Sequence, residues 1–251
     1  MDVTLVGFLV LVVAAVVIGF AKTAIGGAAA VAVALFAAVL PAKESTGTIL
    51  PLLIFGDLFA VWAYRRHAEW KLLLRLFPSV AVGVLVGALF VDLVDDVVMR
   101  RTIGAVLIAL VGLHVWRQYR QRRLGTAPPP ASATRRVLVA ATFGFLAGFT
   151  TMVANAGGAA MSIYLFTMGL SVLGFLGTGA WFFFLVNLFK LPFSIGLGLV
   201  SLDSLRLDLM LVPAVVVGAL IGRKVIKRID ARRFEQLVLG ATVVSSVYLL
   251  R

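Results

Sequence analysis

The chain has 251 residues, 62% of them hydrophobic and 14% charged, with a mean hydropathy of +1.09 and a net charge of +12. A soluble domain is closer to half apolar and a quarter charged, so this composition excludes one and leaves a polytopic membrane protein. With no cysteine there are no disulfides, thiolate metal sites or thiol nucleophile; the basic residues stand in short runs between apolar segments, as topology signals do, and form no basic domain for nucleic acid.

A helix needs about 20 apolar residues to cross the hydrocarbon core. On that measure the first half predicts segments at 3–20, 27–41, 45–64, 72–91 and 97–116, and the second half at 136–153, 158–170, 172–190, 206–222 and 234–250. Asp2 precedes the first segment in place of the basic region of a secretory signal, so that segment is read as a retained membrane span. Segments two and seven are short and are expected to be re-entrant or half-length. The stretch 191–201 is apolar, but Pro192 and its neighbouring glycines and serines predict a weak helix there. Residues 117–135 join the halves. The run RLGTAPPPASATRR within and beside them reads as a flexible tether.

Loop charge orients the segments. Lys22 falls on one side with Arg65, Arg66, Lys71 and Arg75, with the linker residues Arg117, Arg120, Arg122, Arg123, Arg135 and Arg136, and with Arg223, Lys224, Lys227, Arg228, Arg232 and Arg233. The other side holds Lys43, Arg100, Arg101, Lys190, Arg206 and Arg251, together with Asp92, Asp95, Asp96 and Asp203. The positive-inside rule makes the first side cytoplasmic. The linker is then cytoplasmic, both termini face away from the cytoplasm, and the expected location is the cell membrane. Trp62, Tyr64, Trp70, Trp116 and Tyr119 fit a cytoplasmic aromatic belt. Lys43 with Glu44 marks a helix start at the far interface. His67 and His114 read as interfacial residues.

The halves repeat a pattern. GFAKTAIGGAAA in the first is echoed by GFTTMVANAGGAA in the second, and the order Gly-Phe, Gly-Gly-Ala-Ala, Gly-Thr, then Asp57 or Asn187, recurs in both. Each half carries an odd number of segments, so the two cross the membrane in opposite senses. The expected fold is therefore an all-α polytopic membrane protein of two inverted repeats, residues 1–116 and 136–251, each of about five hydrophobic segments. Gly26-Gly27 and Gly157-Gly158 break an apolar segment at matching places, the sequence pointer to a transporter's binding site.

A helix restarting after such a break presents unpaired N–H groups and the positive end of its dipole, which suits a small oxyanion. Close helix packing uses the same small residues. Thr23, Thr150, Thr151 and Asn155 flank the breaks as hydrogen-bond donors or helix caps. Thr48 and Thr178 follow at equivalent places, lining a cavity or bonding back to their own helices. Lys22 either attracts the anion or anchors the helix at the cytoplasmic interface. Asp57 is the sharpest residue: a lone carboxylate between LLIFG and LFAVW marks a functional position by default and a candidate proton carrier. Its repeat partner Asn187 cannot titrate. Pairing with a lysine is the structural alternative, with Lys190 one such partner, although its position near a segment end favours an interfacial anchor.

At these residues the chain resembles the TauE/SafE sulfite exporter family, also grouped as toluene-sulfonate uptake permeases. The resemblance runs through both halves: the glycine-rich break, a short helix, a turn at Pro41 or Gly169, then the small-residue segments Ala42 to Thr48 and Gly169 to Thr178. Members often carry three or more glycines at the break where this chain has two. The resemblance implies a secondary carrier moving sulfite, sulfonates or related oxyanions. Its drive is either a proton gradient through Asp57 or downhill flow of the anion, and an anion channel using the same helix ends is the alternative. No Walker motif, HExxH or GxSxG points to an ATPase or an enzyme. No cofactor or metal is expected; the expected partners are the anion, the bilayer and, as a homo-oligomer, a second copy of the chain.

Overall fold

The computed structural model describes residues 3–23, 29–124 and 133–225. Among them it places nine helices and no strand: α1 (Leu5–Thr23), α2 (Ala29–Val39), α3 (Ala42–Tyr64), α4 (Trp70–Leu93), α5 (Asp96–Leu124), α6 (Ala133–Ala154), α7 (Gly158–Thr167), α8 (Val172–Gly196) and α9 (Leu202–Val225). A single 3₁₀ turn, Arg65–His67, closes α3. Six of the helices are long and apolar enough to span a bilayer. Helices are the expected solution in lipid, because they satisfy their own backbone polar groups. At 11 and 10 residues, α2 and α7 reach only about half the hydrocarbon thickness.

The boundaries depart furthest from the sequence reading at α8 and at the linker. α8 runs through Pro192 to Gly196; a proline removes one backbone bond, and apolar flanks offer no alternative to helix in lipid. The helix ends only where Gly198 adopts a φ of +69° and the Leu199 amide donates back to the Ser194 carbonyl at 2.9 Å. The linker is helical at both its edges, to Leu124 and from Ala133. The tenth expected segment, 234–250, lies outside the described residues.

The helices form two bundles that cut across the sequence halves. One core joins α1, α2, α3, α5 and α9 through Leu11, Phe36, Ile49, Met99 and Leu211. The other joins α4, α6, α7 and α8 through Val80, Ala147, Tyr164 and Phe182. Thus α9 packs with the early helices and α4 with the late ones. Glycines make both exchanges possible. A side chain at Gly19 would overlap the Val215 carbonyl of α9, and one at Gly218 would overlap the Val16 carbonyl of α1. Gly83 and Gly148 hold the same close approach between α4 and α6, against Phe145 and Val80. Such contacts drive helix association in lipid, where apolar burial contributes little. Leu5, Leu74, Leu93, Leu202 and Leu209 face outward, as a lipid-facing belt requires.

α3 and α8 cross between the bundles in opposite directions. Gly47 near the start of α3 rests on Leu199 after α8, and Gly177 near the start of α8 rests on the Tyr64–Ala68 turn after α3. That crossing positions the polar residues described next.

Candidate functional site

α6 stops because Asn155 enters the left-handed region, with φ +48°, a conformation asparagine tolerates better than most residues. The Asn155 amide donates to the Thr151 carbonyl at 3.0 Å and the Ala156 amide to Thr150 at 3.2 Å. The Asn155 side chain then bridges elements. Its Nδ2 donates to the Thr46 carbonyl of α3 at 3.0 Å, and its Oδ1 accepts from Lys190 of α8. Gly157 is required by space, since a Cβ there would stand 2.7 Å from the Ala147 carbonyl oxygen; Gly158, at 3.7 Å from the Phe183 ring, is not. α7 begins at Gly158, so its first-turn N–H groups open beside this cluster.

α8 presents Phe183, Asn187 and Lys190 along one face, at the helical spacing that stacks side chains one above the other. Lys190 is 1% exposed, which overturns its reading as an interfacial anchor. Its ammonium donates to the Thr151 carbonyl at 2.8 Å and to Asn155. The helix continuing past Pro192 is what carries it inside.

Asp57 is also 1% exposed, and its partner is Lys22, 2.5 Å from Oδ1. Asn187 donates to Oδ2 at 2.7 Å, so both carboxylate oxygens are engaged. The Lys22 ammonium also lies 5.1 Å from the Phe183 ring centroid, a cation–π distance. One phenyl ring thus stands between Lys22 and the start of α7.

The cluster holds two ammonium groups and one carboxylate. Asp57 offsets Lys22, while Lys190 has no carboxylate at bridging distance among the described residues. An ammonium has three hydrogens to donate, and Lys190 places two on neutral acceptors. A buried cation left this way is costly without an anion beside it. The described residues contain no group of histidine and carboxylate side chains fit to hold a metal ion.

The structure gathers some of the expected residues and separates others. Lys22, Asp57, Thr151, Asn155, Gly157, Gly158 and Asn187 come together. Thr23 instead bonds Gly19 and, at 3.1 Å, the Ala219 carbonyl, stitching α1 to α9. Thr150 turns back to Leu146 at 2.6 Å. Thr178 accepts from the Glu69 amide at 2.9 Å, beside the turn that follows α3. Thr48 is buried with no hydrogen-bond partner among the described residues. Gly26 and Gly27 lie outside the described residues. Sequence reasoning passed over Phe183 and the Thr46 carbonyl; the spacing of Phe183, Asn187 and Lys190 was the available signal.

The model of the sulfite exporter TauE/SafE family matches residues 11–249. The chain belongs to the TauE/SafE family. The match takes in α2 to α9 whole and α1 from residue 11 onward, including both exchanged helices, and TauE/SafE is a family of membrane transporters. No curated protein and no solved structure matches the chain.

Proposed function

We propose that this TauE/SafE protein is a secondary carrier for small sulfur-containing anions, sulfite and sulfonates among them, and works by alternating access of two inverted halves. The observation that carries the reading is Lys190: a buried ammonium, with no carboxylate at bridging distance among the described residues, beside the restarted helix α7. The anion would take its third hydrogen and the N–H groups at Gly158, with Asn155 fixing the lysine. Gly26-Gly27 would supply the matching helix end in the other half. The class of anion comes from the family.

Asp57 is the proposed proton carrier. A proton taken up there would end the pair with Lys22 and free a second ammonium for the anion, so that proton and anion enter together. The inverted-repeat reading draws support from matched contacts. Gly19 with Gly218 and Gly148 with Gly83 are equivalent crossings, and Asp57 bonds its own repeat counterpart Asn187. Residues related by a two-fold axis meet only near the axis, as in any isologous contact. The same reading places the protein in the cell membrane with residues 117–135 cytoplasmic.

Reconstituted vesicles test transport. Uptake of radiolabelled sulfite should saturate and be accelerated by unlabelled sulfite on the far side. Unsaturating conductance in a bilayer recording would instead favour the channel alternative.

A further inference from the structure

A cleft of about 450 Å³ lies between α3 and α9. Phe55, Leu58, Phe59 and Trp62 line it from α3, at the spacing of a single helix face. Ala219, Leu220 and Arg223 line it from α9. The cleft exists because both helices turn glycines to α1. A Cβ at Gly56 would stand 2.9 Å from Lys22, and one at Gly222 would stand 2.3 Å from Thr23. Ala219 is then too short to fill the space in front of Phe55 and Phe59, which brace each other edge to face at 5.4 Å. Leu58, Trp62 and Leu220 are exposed, so the cleft opens toward lipid.

Arg223 is the one charged residue of the lining, and its guanidinium lies 5.4 Å from the Trp62 ring centroid. Stacking takes up the face of a guanidinium and leaves its in-plane N–H groups to donate. No carboxylate of the described residues pairs with Arg223. Arg65 and Arg66 follow Trp62 within about a turn and Lys224 follows Arg223, all three exposed. Glu69 lies toward α8, where its amide bonds Thr178. Loop charge assigns this end to the cytoplasm, the side on which basic clusters beside membrane helices recognise anionic lipid. From Phe55 to Trp62 the cleft covers about 10 Å of helix, within the half-thickness of about 15 Å that one leaflet offers. A membrane helix is about 30 Å long, so the cleft is too short to seat one along its length.

We propose that the α3–α9 cleft holds one anionic phospholipid, its phosphate on the edge of Arg223 and the start of one acyl chain along Phe55, Leu58 and Phe59. A guanidinium gives a phosphate two parallel hydrogen bonds, and Trp62 stands at headgroup depth, as interfacial tryptophans do. The cleft falls within the roughly 300–1,000 Å³ of ligand sites. It is separate from the anion site, since Asp57 is buried while its neighbour Leu58 faces outward. The lipid would brace α3 against α9 without reaching the transported anion.

Native mass spectrometry of the full chain, released from detergent with no sulfur anion present, tests this. Titrated with phosphatidylglycerol and phosphatidylcholine of identical chains, the wild type should hold one phosphatidylglycerol about tenfold more tightly. Arg223→Gln should bring the two lipids to near parity, and Leu58→Trp should weaken both by filling the cleft. Arg206→Gln, at the other end of α9, should change neither. Glycerol phosphate, which carries the headgroup charge without the chains, should not displace the lipid. Equal affinity of the wild type for both lipids overturns the proposal, as does a preference that survives Arg223→Gln. Displacement by glycerol phosphate would make this a site for free phosphate instead. A dimer that binds no lipid and that Leu58→Trp dissociates would give the cleft to a second copy of the chain. Thermal midpoints without lipid show that each variant folds. Because no transported anion is present, failure of the carrier reading would leave this result untouched.

Discussion

Lys190 holds its place through a carbonyl of α6 and the amide of Asn155, so replacing it separates binding from folding. Lys190→Met keeps the length of the side chain and removes the charge. It should weaken sulfite binding at least tenfold, from the loss of charge-assisted hydrogen bonds of about 1.5–3 kcal/mol, while its thermal midpoint in the absence of anion holds or rises because the buried charge is gone. Binding by Lys190→Met at wild-type affinity, measured by calorimetry, would remove the lysine from the site. Asp57→Asn acts differently: it leaves Lys22 unbalanced and should cost about 3–5 kcal/mol of stability. Lys22→Met combined with Asp57→Leu should recover most of that loss. A conservative Asp57→Asn protein that still transports with unaltered pH dependence would contradict the proton-carrier role. Asp57 was legible in the sequence because a lone carboxylate in an apolar run has few explanations. Lys190 was not, because Pro192 suggested that the membrane segment ended at 190, and a lysine at a segment end looks like an anchor.

Among elements, the break between α6 and α7 divides its two glycines by role. Gly157→Ala pushes a methyl into the Ala147 carbonyl, 2.7 Å away, whereas Gly158→Ala meets Phe183 at an ordinary 3.7 Å. Thermal unfolding in detergent should show Gly157→Ala destabilised, by the 1–3 kcal/mol or so typical of overpacking, and Gly158→Ala close to wild type. Equal behaviour of the two would mean that α7 does not start as described. The seams are sterner still: Gly19→Leu or Gly148→Leu places a branched side chain where a neighbouring backbone lies, and should abolish recovery of folded protein. The paired glycines stood out in the sequence because lipid penalises broken helices. The exchange of α4 and α9 between bundles did not, since apolar helices facing lipid carry little patterning to name their neighbours.

For the molecule as a whole, the loop charges predict a direction of insertion that the helices are compatible with. Lys43 and Asp96, both assigned to the far side, meet where the Lys43 amide donates to the Asp96 carboxylate at 2.9 Å. Trp62, Trp70, Trp181 and Arg223 gather at the opposite end, through the Trp70–Trp181 and Trp62–Arg223 contacts. The natural chain has no cysteine, so single introduced thiols report cleanly on topology. Ser132→Cys should react with an impermeant maleimide only from the cytoplasmic side and Asp2→Cys only from the outside. Both reacting from one side would break the inverted arrangement.

The central claim is that Lys190 is the counter-charge of a sulfur oxyanion. Thermal unfolding of wild type and Lys190→Met across sulfite, sulfate, thiosulfate and several sulfonates tests it most directly. Stabilisation of the wild type by at least one of these anions, lost in Lys190→Met, is the predicted result. Stabilisation by none of them while another ligand class stabilises both proteins would contradict it.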